Sequence, residues 1–175
     1  MRRARRLEEI RASVQRCRLC SGRNDAWFFC RYGSVLGFWG QHQAMIVCPK
    51  PSTGQFPSKR DEMFYSILTR TCFSRAHLTD FIKCRGRSGS ETEKEFENCS
   101  VFFRRELEVV NPKVIIAVGD KAYQRLARMK DLRCNVEKIW HYAYRFKSEK
   151  EVARRIEEQL NLIRRKHFES GPRVR

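Results

Sequence analysis

The residues best suited to chemistry in this sequence are four cysteines arranged as two pairs. Cys17 and Cys20 form a CxxC pair after a basic N-terminal segment, and Cys84 and Cys99 flank a Gly/Ser turn and an acidic helix start. If the two pairs meet in space, four thiolates are available to hold either zinc or an iron–sulfur cluster. Ligand type alone does not distinguish these two possibilities.

The other cysteines have different predicted roles. Cys48 and Cys134 lie in apolar, strand-like runs and are predicted to be small core residues, whereas the sequence assigns no role to Cys30 or Cys72. Segment 1–17 lacks the apolar middle of a signal peptide. We therefore expect a cytoplasmic protein whose cysteines serve metal or redox chemistry rather than disulfides.

The charge of the chain favours an anionic partner. Lysine and arginine number 37 against 20 acidic residues, which gives a net charge of +17. A field of this size attracts polyanions, because contacts with phosphates release condensed counterions. No apolar run approaches the length of a membrane span, so nucleic acid rather than a membrane is the expected partner.

Hydrophobic periodicity predicts strands that alternate with helices. The predicted strands cover residues 44–48, 77–84, 113–119 and 135–142, and the predicted helices cover 2–16, 60–70, a segment from Ser90 to before Pro112, 120–129 and a segment after Ser148. Segment 27–40 is aromatic and glycine-rich and is predicted to be a hairpin or loop. The alternation predicts an α/β fold, a three-layer α/β/α sandwich on a four-stranded, mostly parallel sheet. We expect one domain over residues 1–168 and a flexible basic tail at 169–175.

The carboxyl ends of these strands are predicted to form the ligand-binding rim, as in other open parallel sheets. The segments that follow the strands read CPKPSTG, DFIKC, GDK and HYAYRF. They bring Lys50, Asp80 and His141 to the same edge as candidate reactive residues.

The segment LTDFIKCRGRSGSETEKEFENCSVFFRRELEVVNPKVIIAVGDKA resembles the uracil-DNA glycosylase superfamily, in particular its family 4 branch, which carries a 4Fe–4S cluster. The likeness is strong over about residues 77–123 and is weaker but collinear on both sides. It implies that Cys17, Cys20, Cys84 and Cys99 bind a 4Fe–4S cluster with a structural role. It also implies that the cluster holds a loop containing Arg85 and Arg87 against the phosphates of DNA.

The first superfamily motif is altered in this chain. It aligns with Cys48–Ser52, so that the family's acidic residue falls on Pro49, while Pro51 matches the family proline. The resemblance implies that this segment, including Ser52, and the following Phe56 contact the base, with Phe56 stacking on it. A desolvated Lys50 could attack the sugar and make the enzyme a lyase, but direct hydrolysis is the expected mechanism.

The second motif carries Asp80 where the family has the asparagine that reads the base. An ionised aspartate can only accept hydrogen bonds, so uracil would be read poorly, whereas an edge with an exocyclic amine, as in cytosine or adenine, would suit it. Asp80 could instead activate water, or could serve only as a turn residue.

The third motif is matched only at His141, which the resemblance makes the donor to the carbonyl of the departing base. Tyr142 and Ala143 replace the family's proline and serine. The next residues, Tyr144, Arg145 and Phe146, fall where the family places a wedge in the opened DNA stack. Aromatic and arginine side chains suit that role.

The resulting prediction is a monomeric DNA glycosylase that flips a damaged or deaminated base and hydrolyses its N-glycosidic bond in base excision repair, with a specificity altered from uracil. The DNA would be double-stranded with a flipped base or single-stranded. Two alternatives stay open: a non-catalytic iron–sulfur protein that binds nucleic acid on the same fold, and a zinc-stabilised RNA-binding domain.

Overall fold

A computed structural model describes residues 2–20, 25–52, 54–85 and 93–169. The strands are β1 Ala44–Cys48, β2 His77–Asp80, β3 Val114–Val118 and β4 Asn135–Ile139, and the helices are α1 Arg2–Gln15, α2 Lys59–Arg70, α3 Glu93–Val110, α4 Gly119–Ala127 and α5 Glu149–Arg164. A short 3₁₀ turn covers Gly37–Trp39, and a π-helical turn covers Arg165–Glu169. The predicted tail beyond residue 169 lies outside the described residues.

The four strands form one parallel sheet in the order β2-β1-β3-β4. Every residue of β1 and β3 is buried, which explains why both strands read as continuous apolar runs. The chain runs outward from β1 to β2 and then returns to place β3 on the other side of β1. Such a reversal opens a crevice between the carboxyl ends of the two central strands.

Each face of the sheet is covered by helices. Along β1, Ala44, Ile46 and Cys48 pack in the apolar cluster that contains residues of α2 and α5, while Met45 and Val47 pack in the cluster that contains residues of α1, α3 and α4. The predicted three-layer α/β/α sandwich is therefore confirmed. No described helix has the length and apolarity needed to cross a bilayer.

Strands β2 and β4 end three or more residues earlier than the sequence predicts, because their last predicted residues leave the sheet for other partners. After Asp80 the chain turns away, and the N–H of Trp27 donates to the carbonyl of Lys83 at 2.8 Å. After Ile139 the N–H of Trp140 donates to the side chain of Gln159 on α5 at 2.9 Å. The alternation of residue types could not reveal these distant partners.

The helix boundaries also depend on local caps. Helix α2 begins one residue earlier than predicted, with a capping box in which Ser58 and Asp61 each accept from the backbone N–H of the other. The capping box predicted at Ser90 lies outside the described residues. Cys48 is fully buried as predicted, whereas Cys134 is only half-buried, since it precedes the edge strand β4.

A buried charge network joins the end of β2 to α3. The ammonium of Lys83 lies 2.7 Å from the Glu106 carboxylate and donates to the Thr79 hydroxyl at 2.7 Å and to the Asp80 carbonyl at 2.6 Å. The other Glu106 oxygen lies 3.4 Å from the ring of His77. Burial opposes ionisation of Glu106, but Lys83 and His77 hold its pKa below the ordinary value. The network therefore contains a paired, ionised carboxylate inside the protein.

Replacing Glu106 with leucine is expected to lower the free energy of unfolding by about 3–5 kcal/mol, because it leaves the Lys83 ammonium buried without its counterion. Denaturant unfolding measures the change. Glu158→Leu is the matched control, since Glu158 pairs with Arg154 on the exposed face of α5 and its loss is expected to cost about 1 kcal/mol or less. Equal effects of the two substitutions would contradict a stabilising buried pair.

Candidate functional site

A buried carboxyl group without a partner lies at the carboxyl end of β2. The side chain of Asp80 is 3% exposed, and neither of its oxygens has a hydrogen-bond partner among the described residues. It faces a cavity, here called the Asp80 cavity, lined by Trp27, Phe29, Pro51, Ser52, Gly54, Phe56, Asp61, Asp80, Arg85 and Tyr142. The cavity has a volume of about 20 Å³, which is room for one water molecule. Buried polar groups are nearly always hydrogen-bonded, so the two unpaired oxygens indicate a place for a water molecule or for one polar group of a ligand.

Burial also changes the protonation of Asp80. Loss of hydration raises its pKa from 3.8 to about 8, although Lys83 and Arg85 act in the opposite direction. At neutral pH the group is therefore a neutral acid with one O–H donor and one carbonyl acceptor. The expectation that uracil is read poorly assumed an ionised side chain. A protonated Asp80 presents one donor and one acceptor, as the family's asparagine amide does.

Aromatic side chains form the walls of the Asp80 cavity. The aromatic lining residues are Trp27, Phe29, Phe56 and Tyr142, and the ring of Phe56 lies 5.9 Å from that of Trp27. Outside the lining, the ring of Phe56 also contacts those of Tyr32, at 6.0 Å, and Tyr65, at 5.6 Å. Aromatic rings of this kind can stack on the π face of a base, but a space of about 20 Å³ admits a base only when the walls move apart. Phe56, Pro51 and Ser52 line the same cavity as Asp80, and their contact with a base stays a prediction.

His141 lies elsewhere. It lines a cleft of about 500 Å³, here called the His141 cleft, together with Pro49, Val118, Gly119, Asp120, Lys121, Lys138, Ile139, Trp140 and Tyr144. Asp80 and His141 line different cavities in this structure, and their joint action on one base stays a prediction. The side chain of Tyr142 lines the Asp80 cavity, and the ring of His141 stacks on Tyr142 with centroids 5.1 Å apart. Consecutive residues thus line neighbouring cavities.

Two local contacts fix the histidine. The N–H of Ala143 donates to Nδ1 of His141 at 3.1 Å, so a neutral ring carries its proton on Nε2. Gly119 has a φ of +83°, and a Cβ there would lie 3.1 Å from the Cβ of His141. A glycine at the end of β3 is therefore what lets the histidine approach the sheet.

The loop after His141 presents aromatic groups to solvent. Tyr144 is 41% exposed and Phe146 is 85% exposed, and Arg145 is exposed between them. The guanidinium of Arg60, on α2, donates to the carbonyls of Tyr142 and Tyr144, both at 3.0 Å. Sequence reasoning missed Arg60, since nothing in its neighbourhood indicates a contact more than 80 residues away.

The four cysteines of the two predicted pairs converge. Cys17, Cys20, Cys84 and Cys99 line one small cavity, here called the cysteine cavity, between α1, α3 and the segment after β2. None of them is in a disulfide. Within the described residues, no group of three or more histidine, cysteine or carboxylate side chains is arranged to hold a metal ion.

Two of the four sulfurs accept hydrogen bonds from described residues. The N–H of Lys83 donates to Sγ of Cys99 at 3.4 Å, and the side-chain amide of Asn98 donates to Sγ of Cys20 at 3.3 Å. Burial, and then the neighbouring thiols, raise the pKa of Cys84 to about 12. Four thiolates therefore need cationic charge between them, which iron or zinc would supply. The donor set and its hydrogen bonds fit an iron–sulfur cluster.

Arg85 and Lys50 have surroundings that differ from the predicted ones. Arg85, expected at DNA phosphates, is half-buried, with its guanidinium 3.9 Å from the ring centroid of Trp27. Arg87 lies outside the described residues. Lys50 is half-buried after β1, and it is not among the described residues that line the Asp80 cavity or the His141 cleft.

An α/β sandwich with a ligand cavity at the carboxyl ends of its strands defines a broad class of enzymes, and comparison with known sequences narrows it. A model of the uracil DNA glycosylase superfamily matches residues 38–165, most of the chain. The chain belongs to the uracil DNA glycosylase superfamily. At that level it is a DNA glycosylase-like protein, and the predicted superfamily is confirmed.

A curated relative gives a shorter match. The chain is 32% identical over 53 residues to a type-5 uracil-DNA glycosylase of Pyrobaculum aerophilum. The aligned segment covers 30% of this chain and 24% of that protein, so the chain matches only about a quarter of its relative. The relative carries a type-5 name, whereas the motifs noted above resemble family 4.

Replacing Asp80 with asparagine is expected to stabilise the protein increasingly as the pH rises from 5 to 7. In this range the folded state holds a proton on Asp80 that the unfolded state has lost, because the folded pKa is about 8 and the ordinary value is 3.8. Stability of the unmodified chain therefore falls with pH, by up to about 1.4 kcal/mol per unit from this group, and asparagine removes that slope.

Denaturant unfolding of both proteins at several pH values measures the difference. Asp131→Asn is the control, since it removes an exposed carboxylate that pairs with Arg104. A stability difference between the Asp80 variant and the unmodified chain that stays constant from pH 5 to 7 would show that Asp80 is ionised throughout.

Proposed function

We propose that this protein binds DNA and hydrolyses the N-glycosidic bond of a damaged or deaminated base in base excision repair. The observation that carries the proposal is the unpartnered, buried carboxyl of Asp80 in a cavity walled by aromatic rings. A flipped base has the flat faces and the polar edge that such a cavity would satisfy. The net charge of +17 supports DNA as the partner.

The reaction is a hydrolysis in which one bond is broken and one water molecule is consumed. The bond between C1′ of the sugar and the base nitrogen breaks, and its electron pair leaves with the base. Water adds its oxygen to C1′ and loses one proton, which neutralises the departing base. The products are the free base and an abasic site. The protein's task is to stabilise charge on the leaving base and to hold water at C1′.

The two cavities divide this task. Pro49 lines the His141 cleft while Pro51 lines the Asp80 cavity, and His141 and Tyr142 are divided in the same way. We place the polar edge of the base at the Asp80 cavity, whose aromatic walls must move apart to admit the ring, and the sugar and flanking phosphates in the His141 cleft. Asp80 then reads the base edge, and the Nε2–H of His141 donates to an oxygen of the departing base or of a phosphate.

Hydrolysis is favoured over a Schiff-base mechanism. A lyase needs an amine at C1′ of the sugar, and Lys50 is not among the described residues that line either cavity. Of the two lysines that line the His141 cleft, Lys138 donates to Asp120 at 2.8 Å, and Lys121 also has an interaction within the protein. Borohydride added during the reaction is therefore expected to trap no covalent adduct with DNA.

The exposed loop residues Tyr144, Arg145 and Phe146 are proposed to contact the opened DNA. Aromatic side chains can fill the gap left by a flipped base, and arginine can contact phosphate. Pairing of Arg60 with two loop carbonyls supports this role, because it holds the loop in one conformation beside the His141 cleft.

The cysteine cavity is proposed to hold a 4Fe–4S cluster through Cys17, Cys20, Cys84 and Cys99. The cluster would supply structural cross-linking and positive charge among the thiolates. As its ligands, Cys17 and Cys20 would attach the end of α1 to the cluster, and Cys84 and Cys99 would attach the segment after β2 and the first turns of α3.

The proposed activity is tested with a panel of duplexes that carry uracil, hypoxanthine, xanthine, thymine mismatches or an abasic site, using anaerobically purified protein. Excision of at least one base is expected, and Asp80→Ala is expected to lower its rate by about 100-fold or more. Asp131→Asn, an exposed carboxylate change, is the matched control and should leave the rate unchanged. Salt-dependent DNA binding without release of any base would show a non-catalytic binding protein and overturn the proposal.

The cluster is tested by absorbance and iron content. The anaerobically purified protein is expected to be brown with four irons per chain, and Cys84→Ser is expected to lose most of both. Cys30→Ser is the control, since Cys30 is exposed and lies outside the cysteine cavity. One zinc per chain without visible absorbance, or full iron content in the Cys84 variant, would contradict the cluster.

A further inference from the structure

A second buried polar group without a partner lines the Asp80 cavity. The Nε of Arg85 is buried and has no hydrogen-bond partner among the described residues, like both oxygens of Asp80. Both side chains face the same cavity. A ligand that pairs only with Asp80 would leave the arginine donor unsatisfied, which is costly inside a protein.

Arg85 is held firmly in this position. The segment at Ala26 pairs with Cys84 as an antiparallel bridge, in which the N–H of Trp27 donates to the Lys83 carbonyl at 2.8 Å and the N–H of Arg85 donates to the Asp25 carbonyl at 3.2 Å. This pairing places the guanidinium over the indole of Trp27, 3.9 Å from the ring centroid. A cation stacked on an indole ring is stabilised by the electrons of the ring.

The hydrogen-bonding groups of the cavity define a pattern. A neutral Asp80 offers one donor and one acceptor, and the Nε–H of Arg85 offers a second donor. The ligand edge that satisfies all three groups has two acceptors and one donor. The bases whose pairing edge has two acceptors and one donor are those with a carbonyl at C2, namely the pyrimidines and xanthine. The pairing edges of adenine and hypoxanthine lack that oxygen.

We propose that Arg85, supported by Trp27, reads the C2 carbonyl of the flipped base, so that the protein selects 2-oxo bases over purines without that oxygen. The inference rests on the proposed function and adds to it a residue that determines specificity. It also gives a role to the start of the aromatic segment 27–40. Arg85 was expected to contact phosphate, whereas its stacking and buried Nε favour contact with the base.

Xanthine and hypoxanthine provide the sharpest test, because they share the C6 carbonyl and the N1–H of the pairing edge and only xanthine adds a carbonyl at C2. Duplexes carrying either base on a 2′-fluorinated sugar, which resists cleavage, allow affinity to be measured without turnover. The unmodified protein is expected to bind the xanthine duplex about 10- to 100-fold more tightly, as a hydrogen bond to a charged group allows. Arg85→Gln and Trp27→Leu are each expected to remove most of this preference.

Controls separate base reading from a phosphate or folding role. Arg154→Gln makes the same charge change on the exposed face of α5 and should leave the preference intact. Melting temperature and iron content are expected to show that the Arg85 and Trp27 variants fold. If either variant weakens binding of both duplexes equally, or keeps the full preference for xanthine, the proposal is overturned.

Failure of the proposed function has a different signature. Unmodified protein that binds all duplexes alike, including an undamaged one, would overturn base recognition altogether and this inference with it. Unmodified protein that selects among bases, together with an Arg85 variant that selects in the same way, would overturn only the role of Arg85.

Discussion

Lys83 connects the end of β2, the cysteine cavity and the Asp80 cavity. Its ammonium binds Glu106 and the carbonyl of Asp80, its N–H donates to the sulfur of Cys99, and its carbonyl accepts from Trp27. One buried residue thus fixes the end of β2, one wall of the cysteine cavity and one wall of the Asp80 cavity. A lysine can be buried there only because each of its donors has an acceptor.

The division between the two cavities follows from a change of direction at the end of β4. His141 and Tyr142 are adjacent, and their rings are stacked, yet they line different spaces. The stacking of Tyr142 on Phe64, with centroids 4.6 Å apart, ties this arrangement to the core. Tyr142, which stands where the resemblance places a proline, therefore lines the Asp80 cavity while its ring packs on the core.

Much of the fold was predictable from the sequence, because apolar β-branched runs such as Val114–Val118 are determined by local burial. The grouping of the four cysteines followed from resemblance and spacing. The separation of Asp80 from His141 did not, since it depends on where two strands leave the sheet. The stacking of Arg85 on Trp27 was also hidden, because it requires pairing between segments almost 60 residues apart. Nor does a residue's type reveal its protonation, which for Asp80 is set by burial.

The Arg60 contacts have a further consequence for the affinity of the proposed contact with DNA. A loop that carries an 85% exposed phenylalanine would ordinarily sample many conformations in the free protein. Because the guanidinium of Arg60 donates hydrogen bonds to two carbonyls of the loop, the loop loses much of its conformational freedom during folding. Less entropy then remains to be lost in the encounter with a nucleic acid, so a larger share of the contact energy becomes affinity.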